Sequence, residues 1–214
     1  MLHASDLGKR FGARVVFRRL SFGVPVGRAV AVVGSNGSGK STLLKIVAGL
    51  VRASAGTVSW NGEISGRELG SLCGLAAPDA PLYRELTALE NLRFLAELRG
   101  SDSSEASLLA HLESWGLKTR ANDFAGDLSS GLRMRLQLAA ATLHRPPVLL
   151  LDEPSAHLDE AGRALLRGAL ARQRERGIVL VATNDQREVD LCDERIDVLA
   201  GPKRETEVPA VSAT

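Results

Sequence analysis

Nine residues, Gly34-Ser-Asn-Gly-Ser-Gly-Lys-Ser-Thr42, constrain this chain more than any other stretch. They satisfy the spacing G-x-x-x-x-G-K-[ST], with Gly34, Gly39, Lys40 and Ser41 at the fixed positions and Gly37 as an additional glycine. The run before them, Ala29–Val33, is short, apolar and rich in strand formers, and the run after them, Thr42–Leu50, carries apolar residues at helical spacing. A strand, a glycine loop and a helix in that order form an anion cradle. The glycines let backbone N–H groups turn inward on phosphate oxygens, and the helix N-terminus adds a favourable dipole. The stretch therefore predicts that Gly34, Ser35, Asn36, Gly37, Ser38, Gly39, Lys40, Ser41 and Thr42 hold a nucleoside triphosphate. In such a loop the lysine reaches the β- and γ-phosphates and the hydroxyl after it ligates Mg²⁺.

A second constellation completes a nucleotide site. Val148–Asp152 is a wholly apolar strand ending in acid, followed by Glu153 and Pro154. A carboxylate at the carboxyl end of a buried parallel strand sits beside the phosphate loop, so Asp152 is the expected partner of Ser41 in holding Mg²⁺. Glu153 is then placed to orient or deprotonate the attacking water. About 20 residues upstream, Leu128-Ser-Ser-Gly-Leu-Arg133 opens a helix. Ser129, Ser130 and Gly131 offer hydroxyls, backbone amides and a positive dipole end, a second anion site.

The remaining pattern gives the layout. Residues 2–8 and 15–24 read as antiparallel strands around a turn at Lys9–Arg14, and Thr57–Trp60 followed by Asn61-Gly62 reads as a hairpin. Helices are expected at 88–100, capped by Thr87 with Glu90, then after Ser103 and Ser104 as far as Gly116, then from Ser129 to His144 before Pro146-Pro147. A helix at 159–175, a buried strand at Ile178–Thr183 and a short helix at 187–192 follow. Wholly apolar strands alternating with helices imply a parallel sheet covered on both faces. The expected fold is α/β: a P-loop NTPase core with a mostly parallel sheet, an antiparallel β subdomain and an inserted α-helical subdomain over about 78–135. One domain would cover 1–200, with a loose tail at 201–214.

A net charge of +2, from 27 basic and 25 acidic residues, gives no electrostatic reason to expect a nucleic-acid partner. No segment approaches the roughly 18 apolar residues of a membrane span, and the N-terminus lacks the apolar core of a signal peptide. The expected location is cytoplasmic, with any membrane attachment supplied by another chain. Cys73 and Cys192 lie far apart without C-x-x-C spacing and read as free thiols, the four histidines lack ligand spacing, and Trp60 and Trp115 read as core.

The order of these motifs resembles the nucleotide-binding subunit of ATP-binding cassette (ABC) transporters over about residues 1–200. The matching residues are Gly34–Thr42, the Leu128–Leu132 signature, Asp152-Glu153, and Ser155–Asp159 at the D-loop. The resemblance implies ATP with Mg²⁺ as ligands and Phe11, in Lys9-Arg-Phe-Gly12, stacking on adenine. It implies a second nucleotide-binding subunit, identical or different, joined head to tail so that the signature of one closes over ATP held by the other. It also implies an integral membrane partner, contacted through the helical subdomain and a glutamine loop at the inner face of the cell membrane. Three motifs depart from the pattern. Pro78 or Asp79 takes the place of the loop glutamine, and Ser130 and Leu132 replace a glycine and the glutamine of the signature. Asn184 stands at the switch histidine. An asparagine can donate to a γ-phosphate oxygen but carries no proton at neutral pH, so the expected hydrolysis is slowed, not lost. The segment Glu85–Phe94, with the small size of the chain, also resembles the haem-exporter ATP-binding subunit of cytochrome c maturation. Two other readings stay open: a regulatory cassette that binds ATP with little turnover, and a soluble ATP-operated clamp on nucleic acid or ribosomes.

Overall fold

The computed structural model describes residues 1–79 and 82–199, so the expected tail at 201–214 lies outside the described residues. It opens with a long hairpin of β1 (Leu2–Phe11) and β2 (Arg14–Val24). The ladder runs as far as Phe11 opposite Arg14, which leaves Gly12 and Ala13 as the turn in place of the longer one expected at Lys9–Arg14. Register shifts absorb the extra residues, and Asp6 and Arg19 take positive φ there, so polar Lys9 and Arg10 stay paired. β3 (Ala29–Val33) and α1 (Lys40–Val47) flank the glycine loop. β4 (Ala55–Trp60) and β5 (Ile64–Ser65) form the second hairpin. Asn61 and Gly62 both have positive φ, as an Asn-Gly turn requires, and Glu63 completes a three-residue connection because Trp60 pairs with Ile64. The order β2-β1-β4-β5 makes an antiparallel sheet.

After α2 (Gly66–Ser71) and β6 (Cys73–Ala76) comes the helical region: α3 (Ala88–Leu98), α4 (Glu105–Ser114) and α5 (Ser130–Thr142). Thr87 and Glu90 form the reciprocal capping box read from the sequence. Ser104 occupies the cap position of α4, but its hydroxyl makes no capping bond; its N–H donates instead to Asp102 Oδ1 at 2.9 Å. β7 (Val148–Asp152), α6 (Glu160–Arg174), β8 (Ile178–Ala182), the single turn α7 (Gln186–Val189) and β9 (Glu194–Asp197) complete the chain. The second sheet has the order β6-β7-β8-β3-β9, with every pair parallel.

The apolar strands are buried on both faces because each feeds two cores. Leu149, Leu151, Val179 and Val181 point into a core shared with α3 to α6. Their neighbours Val148, Leu150, Ile178 and Leu180 point into the core shared with α1, α2 and the antiparallel sheet. Trp60 and Trp115 are both buried, at 8% and 2% exposure. Burial pushes the Cys73 thiol up to about 12 and the Cys192 thiol up to about 11, so both stay protonated at neutral pH.

Gly74 in β6 marks where α5 rests on the sheet. A Cβ there would lie 1.9 Å from the Ala141 carbonyl oxygen and 2.8 Å from Pro146 Cγ. Backbone cannot yield as a flexible side chain can, so Gly74→Ala should lift α5 from β6. The expected loss is about 2 kcal/mol, a drop in Tm of roughly 4–8 °C, read by differential scanning calorimetry. An unchanged Tm would show that α5 is not seated as described.

Candidate functional site

Three strands of the parallel sheet end side by side. Ala182 of β8 is in register with Val32 of β3 and with Asp152 of β7, so the glycine loop, the acid pair and the Asn184 turn leave the sheet along one edge. Gly39 precedes α1 with φ of 110° and makes no side-chain cap, which leaves the first-turn amides of the helix for a ligand. A Cβ at Gly39 would stand 2.4 Å from Val16 Cγ1, so β2 closes the underside of the loop. Lys40 is only 6% exposed, and its Nζ donates to the Gly34 carbonyl at 2.9 Å. The Ser38 hydroxyl is buried and has no hydrogen-bond partner among the described residues, an unmet polar group within the cradle.

A cavity of about 360 Å³ opens over this loop, and its lining includes Phe11, Arg14, Asn36, Lys40, Ser41 and Glu153. Gly37, Gly39 and Thr42 line it as well. Phe11 is 54% exposed, and Lys9 Nζ lies 4.4 Å from its ring centroid. An exposed aromatic at the mouth of a cavity is available for stacking, which a buried one is not.

Asp152 is buried at the end of β7 and hydrogen-bonded to the Ser41 side chain. Burial raises its pKa; the Ser41 bond and Lys45 lower it, while Glu153 and Asp79 raise it further. Asp152 and Ser41 thus bring two hard oxygen donors together next to the loop, a donor set that fits Mg²⁺. Glu153 is exposed, takes φ of 49° and is held by its N–H on the Ala182 carbonyl at 2.8 Å. A glutamate in the left-handed region is an uncommon and costly conformation, and here it turns a carboxylate towards the cavity. Asp79, one of the two residues read at the place of the loop glutamine, pairs with Lys45 and acts on Asp152. Asn184 Nδ2 donates to Asn36 Oδ1 at 2.7 Å, so the asparagine read from the sequence as standing at the switch histidine reaches the glycine loop.

Ser129, Ser130 and Gly131 stand apart from this cavity and line no part of it. Ser129 caps α5, its hydroxyl accepting from the Leu132 N–H at 3.3 Å, while Ser130 is exposed. Gly131 abuts the D-loop: a Cβ there would lie 2.7 Å from the His157 carbonyl oxygen.

Residues 17–156, which span β2, the glycine loop, the helical region and the acid pair, match the family described as ABC transporter. This chain belongs to the ABC transporter family. The linearmycin resistance ATP-binding protein LnrL of Bacillus subtilis is 31% identical over 205 residues, covering 93% of this chain and 66% of that protein. The aliphatic sulfonates import ATP-binding protein SsuB 1 of Burkholderia lata is 39% identical over 194 residues, covering 90% of this chain and 59% of its own. The lantibiotic transport ATP-binding protein SrtF of Streptococcus pyogenes is 31% identical over 185 residues, at 86% and 80% coverage. The chain thus spans less than two thirds of the length of the first two. Among solved structures, an ATP-binding subunit of an ABC transporter superposes with a TM-score of 0.83 at 29% identity, over 93% of this chain and 86% of that one. The dimeric post-hydrolysis state of the cassette MJ0796 bound to ADP and Pi superposes with a TM-score of 0.85, over 95% and 98%. At 24% identity that second likeness is one of fold.

Several residues of this ABC cassette that organise the site carry no signal in periodicity or spacing. The Arg133 guanidinium donates to the carbonyls of Ala125, Gly126 and Leu128, clamping the turn that presents Ser129. Buried Glu188 of α7 accepts from the Ser155 N–H at 2.8 Å and so fixes the start of the D-loop. Asp159, at the end of that loop, caps α6 and pairs with Arg135 of α5. The Glu188–Ser155 and Arg135–Asp159 contacts join separate elements; the sequence pointed to Arg133 by its place beside the signature and to Asp159 by its place at the start of the helix expected at 159–175.

Proposed function

We propose that this chain is the ATP-hydrolysing subunit of an ABC transporter, in which ATP-driven closure of a dimer powers a separate membrane-spanning subunit. One observation carries the reading. Asn36, Lys40, Ser41 and Glu153 meet at one cavity while Ser129, Ser130 and Gly131 lie outside it. A chain that displays its second anion site away from its first has a complete nucleotide site only when another cassette supplies the missing half. The partner subunit is of the same kind, whether identical or not.

In this reading Gly34–Thr42 cradle the phosphates, with Lys40 turning from the Gly34 carbonyl to the β- and γ-oxygens, and Phe11 stacks on adenine. Ser41 and Asp152 would hold Mg²⁺, which would neutralise charge on the phosphates. Glu153 accepts the proton of the attacking water, or orients it, from a carboxylate exposed to the cavity. Asn184 donates from a neutral amide beside Asn36 and holds the reacting end of the nucleotide without carrying a proton.

A shallow apolar groove between α1, β6, α3 and α5 supports the membrane partner. Leu50, Leu75, Leu82 and Leu95 line it, and Phe94 and Leu98 stand exposed nearby on α3. No helix among the described residues is long and apolar enough to cross a membrane, and we place the cassette at the inner face through that partner. The segment Glu85–Phe94 is accounted for by local structure. Thr87 and Glu90 cap α3, and the buried Asn91 amide donates to the carbonyls of Tyr83, Leu86 and Thr87. Its haem-exporter likeness therefore carries no cargo information.

Steady-state ATP hydrolysis across pH tests the reading, with the wild-type chain beside Asn184→His. Neither Asn184 nor Asn36 titrates, so the wild-type rate should show no imidazole inflection. Asn184→His should raise the rate by roughly tenfold and add an inflection near the ordinary histidine pKa of about 6.5. Nucleotide bound without turnover by either chain, alone or with its membrane partner, would turn the reading to a binding-only cassette.

A further inference from the structure

A concavity larger than the cavity over the glycine loop lies elsewhere among the described residues. It is a groove of about 620 Å³ between α4, α5 and α6, lined by Arg145, Arg172, Arg176, His111, Ser114 and Trp115 among others. No carboxylate lines it. Its position is set by the sheet: Arg145 stands just before Pro146-Pro147 and β7, and Arg176 stands just before Gly177 and β8. The groove thus lies towards the amino edge of the parallel strands, whereas the glycine loop and Asp152 leave the carboxyl edge.

Its arginines differ from their neighbours. On the same helix, Arg163 and Arg167 pair with Glu160, and Arg174 pairs with Asp193. The guanidinium groups of Arg145 and Arg172 have no hydrogen bond or ion pair among the described residues. The Arg176 guanidinium has, among the described residues, only a 3.5 Å bond to Gln173 Oε1. Arg176 stands two residues past the end of α6, which carries Arg172, and both line the same groove, where like charges repel. Half-buried His111 adds no charge. Its Nε2–H donates to the Ala139 carbonyl at 2.8 Å, and burial, then repulsion from Arg145 and Arg172, hold its pKa below the ordinary histidine value. Three exposed cations thus face one concavity without a counter-charge, beside the Ser114 hydroxyl and a neutral imidazole.

We infer that this groove is a second anion site, separate from the nucleotide site, that takes a small, multiply charged ligand of the phosphate class. Guanidinium forks match phosphate oxygens in geometry as well as charge. A concavity of this size accommodates a small molecule, and its walls are a mixture of arginine forks with the apolar Leu165 and Ala169, as small-ligand sites are. A nucleic acid would instead be read by an open basic face, and the near-zero net charge offers none on the scale of the whole chain.

Calorimetric titration with tripolyphosphate tests this, with Lys40→Ala removing the nucleotide site. Tripolyphosphate should still bind Lys40→Ala, and adding Arg145→Gln and Arg172→Gln should weaken that binding at least roughly tenfold. In the otherwise wild-type chain, the two arginine changes should leave ATP affinity unaltered. Thermal melting confirms that the variants fold, and Arg172→Gln with Arg176→Gln replaces the first pair if they do not. Loss of all tripolyphosphate binding in Lys40→Ala would overturn the site. So would binding indifferent to the arginine changes, which would assign these residues to the negative ends of α5 and α6 alone. A duplex oligonucleotide that displaced tripolyphosphate at lower concentration would replace the small ligand with a nucleic acid.

Discussion

Lys40→Ala is expected to remove tight ATP binding, and hydrolysis with it. Lys40 is almost wholly buried, and among the described residues its ammonium has one hydrogen-bond partner, the Gly34 carbonyl. A desolvated cation with so little compensation has most of its hydrogen-bonding capacity left for phosphate oxygens. Removing one partner of such a charged contact costs about 3 kcal/mol, roughly a hundredfold in affinity. Isothermal titration with a non-hydrolysable ATP analogue reads the loss directly. The exposed neighbours Ser35 and Asn36 give the contrast, because Ser35→Ala should change affinity much less. Equal affinity in Lys40→Ala and the wild type would move the phosphates elsewhere.

Glu153→Gln should separate binding from turnover. Gln keeps the size and hydrogen-bonding reach of the side chain at φ of 49° but cannot take a proton from water. Hydrolysis should fall by about 10²–10⁴-fold, the ordinary contribution of a positioned general base. ATP affinity should be retained, since Lys40, Ser41 and the loop amides are untouched. With ATP bound and not consumed, the closed dimer should accumulate, visible as a doubled mass by light scattering on ATP addition and as a monomer without it. Full hydrolysis in this variant would mean that another group activates the water. A variant that neither hydrolysed nor dimerised would count against the proposed closure over the signature.

Much of the machinery is legible in the amino-acid sequence because local rules state it. β3, β7 and β8 are continuous apolar runs, as strands buried on both faces must be, and the glycine loop follows one of them directly. The cap of α3 is a four-residue code. β6 and β9 obey no such rule. β6 is Cys-Gly-Leu-Ala, weak in strand propensity, and pairs because β7 is beside it. β9 is Glu-Arg-Ile-Asp, a polar edge strand with one partner. α2 has glycines at two of its six positions. The same division holds at the site. The order of Lys40, Asp152 and Glu153 is a sequence property, but the positive φ of Glu153, the Arg133 clamp and the Asn184–Asn36 bond arise between distant segments.

The bond from Glu188 to Ser155 has a mechanical consequence. Asn184, which touches the glycine loop, is followed at once by Asp185, whose carboxylate caps α7 by accepting from the Arg187 N–H. At the far side of that single turn, Glu188 grips the backbone of the D-loop. A capped turn of helix has few torsions free to absorb strain. The residue that touches the glycine loop and the loop that abuts the helix opened by Ser129 are therefore opposite ends of one short capped turn. A displacement at Asn184 has a path of one helical turn to the D-loop, with no need to cross either hydrophobic core.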